Sequence, residues 1–421
     1  MIQLSREQIK VNHNRVDYFF RVDPRLQKYF RPSNHLFMKY NYDISGLPAS
    51  ILSIPFAANM MPLAWLTDAT LYVDELDRSF YDCLAELKQA YQKMFPHFPL
   101  KGQIKVGQVS SYDYQPEHEA AVLFSGGLDA LTTYIRHRDK KPLLITEYGW
   151  HEGECADSEV WTADREHAEA FARKEGLSNI LVESNYGTFV YPQRIDRDFR
   201  RSLGDTWWHG LHHGLAIISA AVPAACLLRV KTIYIASSHT IGNTYSCASD
   251  PSTDNLIRYG AGDVFHDGYE LSRQDKVKVV VDHYAAANDK TAVRVCYRNT
   301  ENCCQCEKCV RTIMGIAAEG HDPNDYGFPV PDELSAFLKR FLKQEVKFFT
   351  NIQIERLWKP IQERMRENPD NVKDQDLLSW FPDYDFVAQR RKERFRYRVT
   401  QFFPIIRRKV RTGLQQIRET R

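Results

Sequence analysis

Apolar and polar positions alternate in two different rhythms along this chain. Asp17-Tyr-Phe-Phe-Arg-Val22, Asn34-His-Leu-Phe-Met-Lys-Tyr-Asn-Tyr42 and Ala69-Thr-Leu-Tyr-Val-Asp74 are rich in aromatic and β-forming residues and predict strands. From Asp77 to Met94 the apolar positions Phe80, Leu84, Leu87, Tyr91 and Met94 recur at three and four, which predicts one face of a helix. Beyond Glu119 the rhythm changes. Short apolar runs at 120–124, 142–146, 179–183 and 232–236 predict strands, and they alternate with helical stretches at 130–137, 162–175 and 211–228. Such alternation predicts an α/β fold with a parallel sheet covered by helices, whose ligands bind beyond the carboxyl ends of the strands. Asp250-Pro-Ser-Thr-Asp254 reads as a mobile polar loop, either a substrate lid or a plain connection. From about residue 330 the pattern is mostly helical, broken by Pro331, Pro360, Pro369, Pro382 and Pro404. Three regions follow: an α+β accessory domain at 1–116, a parallel-sheet domain at 117–325 and a helical region at 326–421.

Composition narrows the class. With 421 residues, 43% hydrophobic and 26% charged, the chain has ample material for cores and is neither disordered nor fibrous. Its first ten residues carry no apolar h-region, so no secretory signal is expected there. The longest apolar run, Gly214 to Leu228, contains Pro223 and falls short of the roughly 20 residues a membrane span needs, so a buried helix is expected. Nine cysteines in such a chain point to a reducing cytoplasm, where clustered thiols serve as metal ligands more often than as disulfides. The net charge of +2 conceals an asymmetry: residues 390–421 hold twelve Lys/Arg against two Glu, on an otherwise mildly acidic chain.

Ser125-Gly126-Gly127-Leu128-Asp129 falls between a buried strand and a helix. Two glycines permit a tight turn and close ligand approach, and the amides at a helix start present a positive pole to an anion. Asp129 would repel a bare phosphate, so its natural use is through Mg²⁺. The spacing is neither the Walker pattern nor GxGxxG. The alternative is an ordinary strand-to-helix turn.

Cys296, Cys303, Cys306 and Cys309 are spaced C-x6-C-x2-C-x2-C, with Cys304 a bystander. Four thiolates on short loops suit tetrahedral Zn²⁺, and a fully occupied sulfur shell points to a structural role. A redox switch and an iron–sulfur cluster are the alternatives. Cys83, Cys155, Cys226 and Cys247 are scattered and read as packed or incidental.

Together and in this order, the two motifs resemble the PP-loop ATP pyrophosphatase superfamily, and within it the 7-cyano-7-deazaguanine synthase branch. The resemblance covers roughly residues 119–315. Tyr148-Gly149, Glu166-His-Ala-Glu-Ala-Phe-Ala172 and Leu271-Ser-Arg-Gln-Asp275 agree with intermediate features of that family. Departures are Ala130, where a Ser or Thr usually ends the phosphate loop, Ser237-Ser-His-Thr-Ile-Gly242 after the fourth strand, and Trp207-Trp-His-Gly-Leu-His-His-Gly214 before the third helix. The additional terminal regions mark a divergent relative, of the kind found in anti-phage or surface-polysaccharide gene clusters.

The resemblance implies an enzyme that binds ATP, Mg²⁺ and Zn²⁺, transfers AMP to a carboxylate or amide oxygen and releases pyrophosphate, after which a nitrogen nucleophile displaces AMP. It implies Ser125, Gly126, Gly127, Leu128 and Thr132 as the nucleotide cradle, Asp129 as the metal-facing carboxylate and Arg273 as a group stabilising developing charge. His212, His213 and His239 are candidates for substrate contact or general base, the alternative being helix capping. Rival functions are a PP-loop amidotransferase acting on sugars and a non-catalytic nucleotide- or partner-binding module, the latter favoured by Ala130 and the altered strand-four loop. The basic tail at 390–421 is expected to meet an anionic membrane surface, nucleic acid, a second copy or a protein partner, or to be a solvated helical face.

Overall fold

The computed structural model describes residues 1–150, 159–242, 246–296, 298–331 and 333–400. Cys155 and the tail beyond residue 400 therefore lie outside the described residues. The chain divides into two units, Met1–Leu271 and Ser272–Arg421.

Thirteen strands are described, all in the first unit. They are β1 (Ile2–Leu4), β2 (Ile9–Asn12), β3 (Arg15–Phe19), β4 (Arg21–Val22), β5 (His35–Tyr40), β6 (Thr70–Asp77), β7 (Gln103–Ser110), β8 (His118–Leu123), β9 (Leu143–Tyr148), β10 (Asn179–Ser184), β11 (Val230–Ala236), β12 (Arg258–Tyr259) and β13 (Gly262–Asp267). β4-β1-β6-β7 form a small sheet, and the remaining nine form a large one in the order β12-β13-β11-β8-β9-β10-β5-β3-β2. β13, β11, β8, β9 and β10 run parallel to one another. Their chain order across the sheet is that of a doubly wound sheet, with β8 first and the direction of winding reversing between β8 and β11. β8 is therefore central. Ala120, Ala121 and Val122 are all buried, the continuous apolar run of a strand covered on both faces.

The first 116 residues do not stand apart from this sheet. β5 pairs antiparallel with β10 in the register Val182↔Tyr40, and β3 and β2 extend the sheet outward. The unit boundary falls instead at Leu271, inside the region expected to be one domain. The physical reason is the edge of β10: its backbone groups need partners, and the N-terminal strands supply them. Inside the same unit the helices Ile54–Leu66 and His213–Leu227 lie together in the core. The first of these is not expected from the pattern, because it is apolar all round and carries Pro55 and Pro62. Every one of its side chains is buried, which removes the amphipathic signal. Asn59, in the middle of that helix, joins the pair through its Oδ1, 2.9 Å from His212 Nε2. Ala49–Leu66 and Trp208–Leu227 are long and apolar enough to cross a membrane, yet 94% and 83% of these stretches are buried inside the protein.

Residues 250–254, expected as a mobile loop, form a short helix, Pro251–Asp254, capped by the Asp250 side chain. Asp254 is buried and holds His266 Nδ1 at 2.8 Å and the Ser249 hydroxyl at 2.7 Å. A polar segment is thus drawn inside by a paired carboxylate, which the sequence pattern reads as solvent-seeking.

The second unit is helical: Arg273–Ala286, Glu307–Ala318, Leu334–Glu345 and Lys359–Glu367 are its longer α-helices. Trp358, fully buried, is surrounded by the rings of Phe341, Phe349, Phe381 and Phe386. Arg364 ties this core to Glu319 at 2.8 Å and Asp275 at 3.0 Å. Residues 386–400, the described part of the basic tail, are helical. Arg390 and Arg394 there donate to the backbone carbonyls of Phe349 and Lys347, so these two charges are engaged within the unit.

Candidate functional site

At the carboxyl end of β8 the chain turns through Ser125-Gly126-Gly127 into the helix Leu128–His137. Gly126 has φ +71°, and a Cβ there would stand 2.5 Å from His167 Nε2, so the turn accepts only glycine. Gly127 is the N-cap, and its carbonyl accepts from Leu131. The amides of Leu128, Asp129 and Ala130 at the helix start lack i−4 helical acceptors and carry the positive end of the dipole. The helix is pinned from its far side by Asp267 at the end of β13. That buried carboxylate accepts from Thr133 at 2.9 Å, His137 at 3.1 Å and Arg136 at 3.3 Å, one above another on the same helix face.

A cavity of about 320 Å³ opens at this point. It lies where the winding reverses, between the carboxyl ends of β8, β9 and β11, the place where doubly wound sheets bind ligands. Its size falls in the range of small-molecule sites. Ser125, Asp129 and Ala130 line it from the turn, and Asp164, Glu147 and Ser249 add oxygen donors. Asp129 and Asp164 are the two aspartates that line it.

Glu147 is a functional candidate that the sequence pattern does not single out. It sits on β9, accepts from the Tyr186 hydroxyl at 3.3 Å through Oε2, and has no hydrogen-bond partner on Oε1. Burial holds its carboxyl well above the usual carboxylate range, which favours the protonated form. A lone acidic residue closing the apolar run 142–146 is the signal that could have found it.

The expected cradle residues separate in space. Ser125 and Asp129 reach the cavity. Thr132 is buried, and its hydroxyl donates to the Leu128 carbonyl at 2.8 Å. His212 is fully buried, stacks on Trp207, and burial together with neighbouring His213 pushes it down to about 3. It is therefore neutral and structural. His213 lines the cavity. Arg273 opens the helix Arg273–Ala286 in the second unit, where Ser272 caps the helix.

Beside the cavity, His209, His239 and Cys247 converge, with their ligand atoms within 4.8 Å of one another. Cys247, read from the sequence as incidental, lines the cavity. Burial raises its thiol, but His209, His213 and His239 outweigh that and bring it down to about 4. Asp205, with help from Cys247, raises His209 to about 10.

In the second unit, Cys296, Cys303, Cys306 and Cys309 also bring their sulfurs within 4.8 Å of one another, a possible zinc site. The Sγ atoms of Cys306 and Cys309 are 3.4 Å apart and those of Cys303 and Cys309 are 4.0 Å apart. Thiolates bound tetrahedrally to zinc stand about 3.8 Å from one another, so the group fits the ion. Backbone amides add to the fit: Cys306 N–H donates to Cys303 Sγ and Arg298 N–H to Cys296 Sγ. Burial raises Cys296, and the amides of Cys303, Arg298 and Asn299 overcome this to bring it down to about 6. Cys304 stands outside the group, in a left-handed conformation with φ 52°.

Compared with known proteins, the chain matches no family model, and a search of curated proteins finds no match.

Proposed function

We propose that this protein is an ATP-dependent adenylating enzyme of the PP-loop type, which activates a carboxylate or amide oxygen for attack by a nitrogen nucleophile and releases pyrophosphate. One observation carries the reading: a glycine turn and helix start, with Asp129 beside them, open into a cavity at the winding reversal of a parallel sheet. The amides of the helix start, together with Ser125, are suited to hold phosphate oxygens. Asp129 and Asp164, both lining the cavity, are suited to hold Mg²⁺, which would neutralise charge on the phosphates. Glu147, whose burial favours the protonated form, faces the same cavity. The cysteine segment of the second unit supports the same reading as a closed, structural Zn²⁺ site.

The test is calorimetric titration of the full chain with ATP and Mg²⁺, paired with pyrophosphate release in the presence of candidate carboxylates. Micromolar binding is expected for the wild type. Asp129→Asn is expected to lose pyrophosphate release on the order of 100-fold, the scale of removing one electrostatic contact to a reacting centre. A folded wild-type protein that binds no ATP would overturn the reading. Binding without turnover across the acceptor screen would replace it with a non-catalytic nucleotide-binding module.

A further inference from the structure

The group beside the cavity has the construction of a metal site. The turn Trp208–His212 is π-helical, an uncommon geometry that recurs at functional sites, and it leads directly into the helix His213–Leu227. His209 and His213, four residues apart, lie with rings near-parallel and centroids 6.1 Å apart. The segment carrying Cys247 is drawn against this turn: the Ala248 amide donates to the His209 carbonyl at 2.7 Å, and the Tyr91 hydroxyl donates to the Ala248 carbonyl at 2.9 Å. Gly214 permits that approach, since a Cβ there would meet the Ala248 carbonyl oxygen at 2.4 Å. His239 arrives from the loop after β11, its amide donating to the Ser237 hydroxyl at 3.2 Å.

The orientation of the imidazoles is fixed from behind. His209 Nδ1 lies 2.8 Å from the Asp205 carboxylate, and His213 Nδ1 lies 3.0 Å from the Trp208 carbonyl. Both partners can only accept, so each Nδ1 carries the proton. In the neutral rings each Nε2 then presents a lone pair. For His213 that atom lies 3.8 Å from Cys247 Sγ. An outer carboxylate or carbonyl that sets the tautomer is the arrangement seen behind metal-bound histidines. Imidazole and thiolate bound to one zinc stand about 3.5 Å apart, and the ligand atoms of His209, His239 and Cys247 lie within 4.8 Å of one another, close to that spacing. A thiol facing imidazole lone pairs can share its own proton with them or give it up to a metal ion.

We propose that His209, His239 and Cys247 form a second transition-metal site, of the Zn²⁺ type, distinct from the four-cysteine group. Two nitrogens and one sulfur suit Zn²⁺ and not the hard ions Mg²⁺ or Ca²⁺. Three protein ligands leave a fourth position, and Cys247, which lines the cavity, sets the group at the cavity's edge. An ion there would hold an oxygen or nitrogen donor of the group that enters the cavity. The site rests on these side chains alone and stands whether or not the cavity takes ATP.

The experiment is metal analysis of the full chain after zinc loading and removal of loosely held ions, with no nucleotide present. About two zinc ions per chain are expected, one for each site. Cys247→Ser and His239→Gln are each expected to lose about one and keep the other, with unchanged far-ultraviolet circular dichroism. His239 is the less buried of the two, so its variant guards against a folding defect in the cysteine variant. In the cobalt-loaded protein, Cys247→Ser is expected to remove a sulfur-to-cobalt band that four-cysteine coordination does not account for. A wild-type content of one zinc, unchanged in folded His239→Gln, would overturn the proposal and leave the group as an imidazole-activated thiol. Rapid alkylation of Cys247 in the zinc-loaded protein, equal with and without chelator, would overturn it too.

Discussion

The two sulfur-bearing groups of this protein are built in opposite ways. The four cysteines of the second unit fall within residues 296–309, and short loops alone bring their sulfurs together. The group at the cavity collects His209, His239 and Cys247 from a π-turn, a strand-end loop and a segment drawn against the core. The first offers four sulfurs, enough to fill a tetrahedral shell by itself. The second stands at the wall of a cavity that also holds Ser125, Asp129 and Glu147. A contiguous group is a device for holding chain together, because its loops are the structure being held. A dispersed group is placed by a fold that is already complete, and so can leave a coordination position open for a ligand.

The sharpest way to break this contrast is to remove one thiolate from the contiguous group. Cys306→Ser should abolish zinc at that site and release the start of the helix Glu307–Ala318, whose N-cap position Cys306 occupies without a side-chain hydrogen bond. Isolated zinc fingers derive about 10–16 kcal/mol from their metal, so losing it should outweigh any single packing defect. Hydrogen exchange should report lost protection over residues 296–318. Retained protection in the zinc-free variant would show that the segment folds without its ion.

At the cavity the effects should be smaller and local. Gly126→Ala places a side chain at φ +71° and 2.5 Å from His167 Nε2. The left-handed backbone costs about 1–2 kcal/mol, with further cost for moving His167. Chemical denaturation should show that loss with an unchanged slope, and the variant should lose nucleotide binding if the turn is the cradle. An unchanged midpoint would contradict the geometry of the turn.

Glu147 supplies the mildest test, through pH. Its carboxyl is raised in the folded protein above its ordinary value near 4.5, so the folded state holds a proton that the unfolded state has lost. Its contribution is therefore fully present below about pH 4.5 and declines as pH rises through the folded value. Glu147→Gln, which keeps the shape of the neutral acid, should remove that decline. Stability curves of the two proteins should diverge upward in pH in favour of the variant. Parallel curves would place an ionised carboxylate at this position.

Local patterns made several elements legible in the amino-acid sequence. The helix Arg78–Met94 follows from apolar residues at three and four, and β8 through β11 follow from short runs separated by helical stretches. The glycine turn and the four-cysteine spacing are equally legible, because in each the neighbours in sequence are neighbours in space. The helix Ile54–Leu66 is not, since a helix buried on every side has no polar face to set a period. Thr132 shows the same limit at the scale of one hydroxyl: its position beside the turn is visible in sequence, but its hydrogen bond back to Leu128 is not.

Tight turning, the clustering of thiols and the alternation of strands and helices after residue 119 are all written into the order of amino acids. Those are properties of spacing, backbone freedom and side-chain type over a few residues. Three facts arise from the folded chain instead: residues 9–40 extend the same sheet, Glu147 and Asp129 line one cavity, and Cys247 meets His209 and His239. The strand pairings, the burial of a carboxyl and the meeting of side chains from three separate elements depend on long-range packing, for which the local pattern carries no signal.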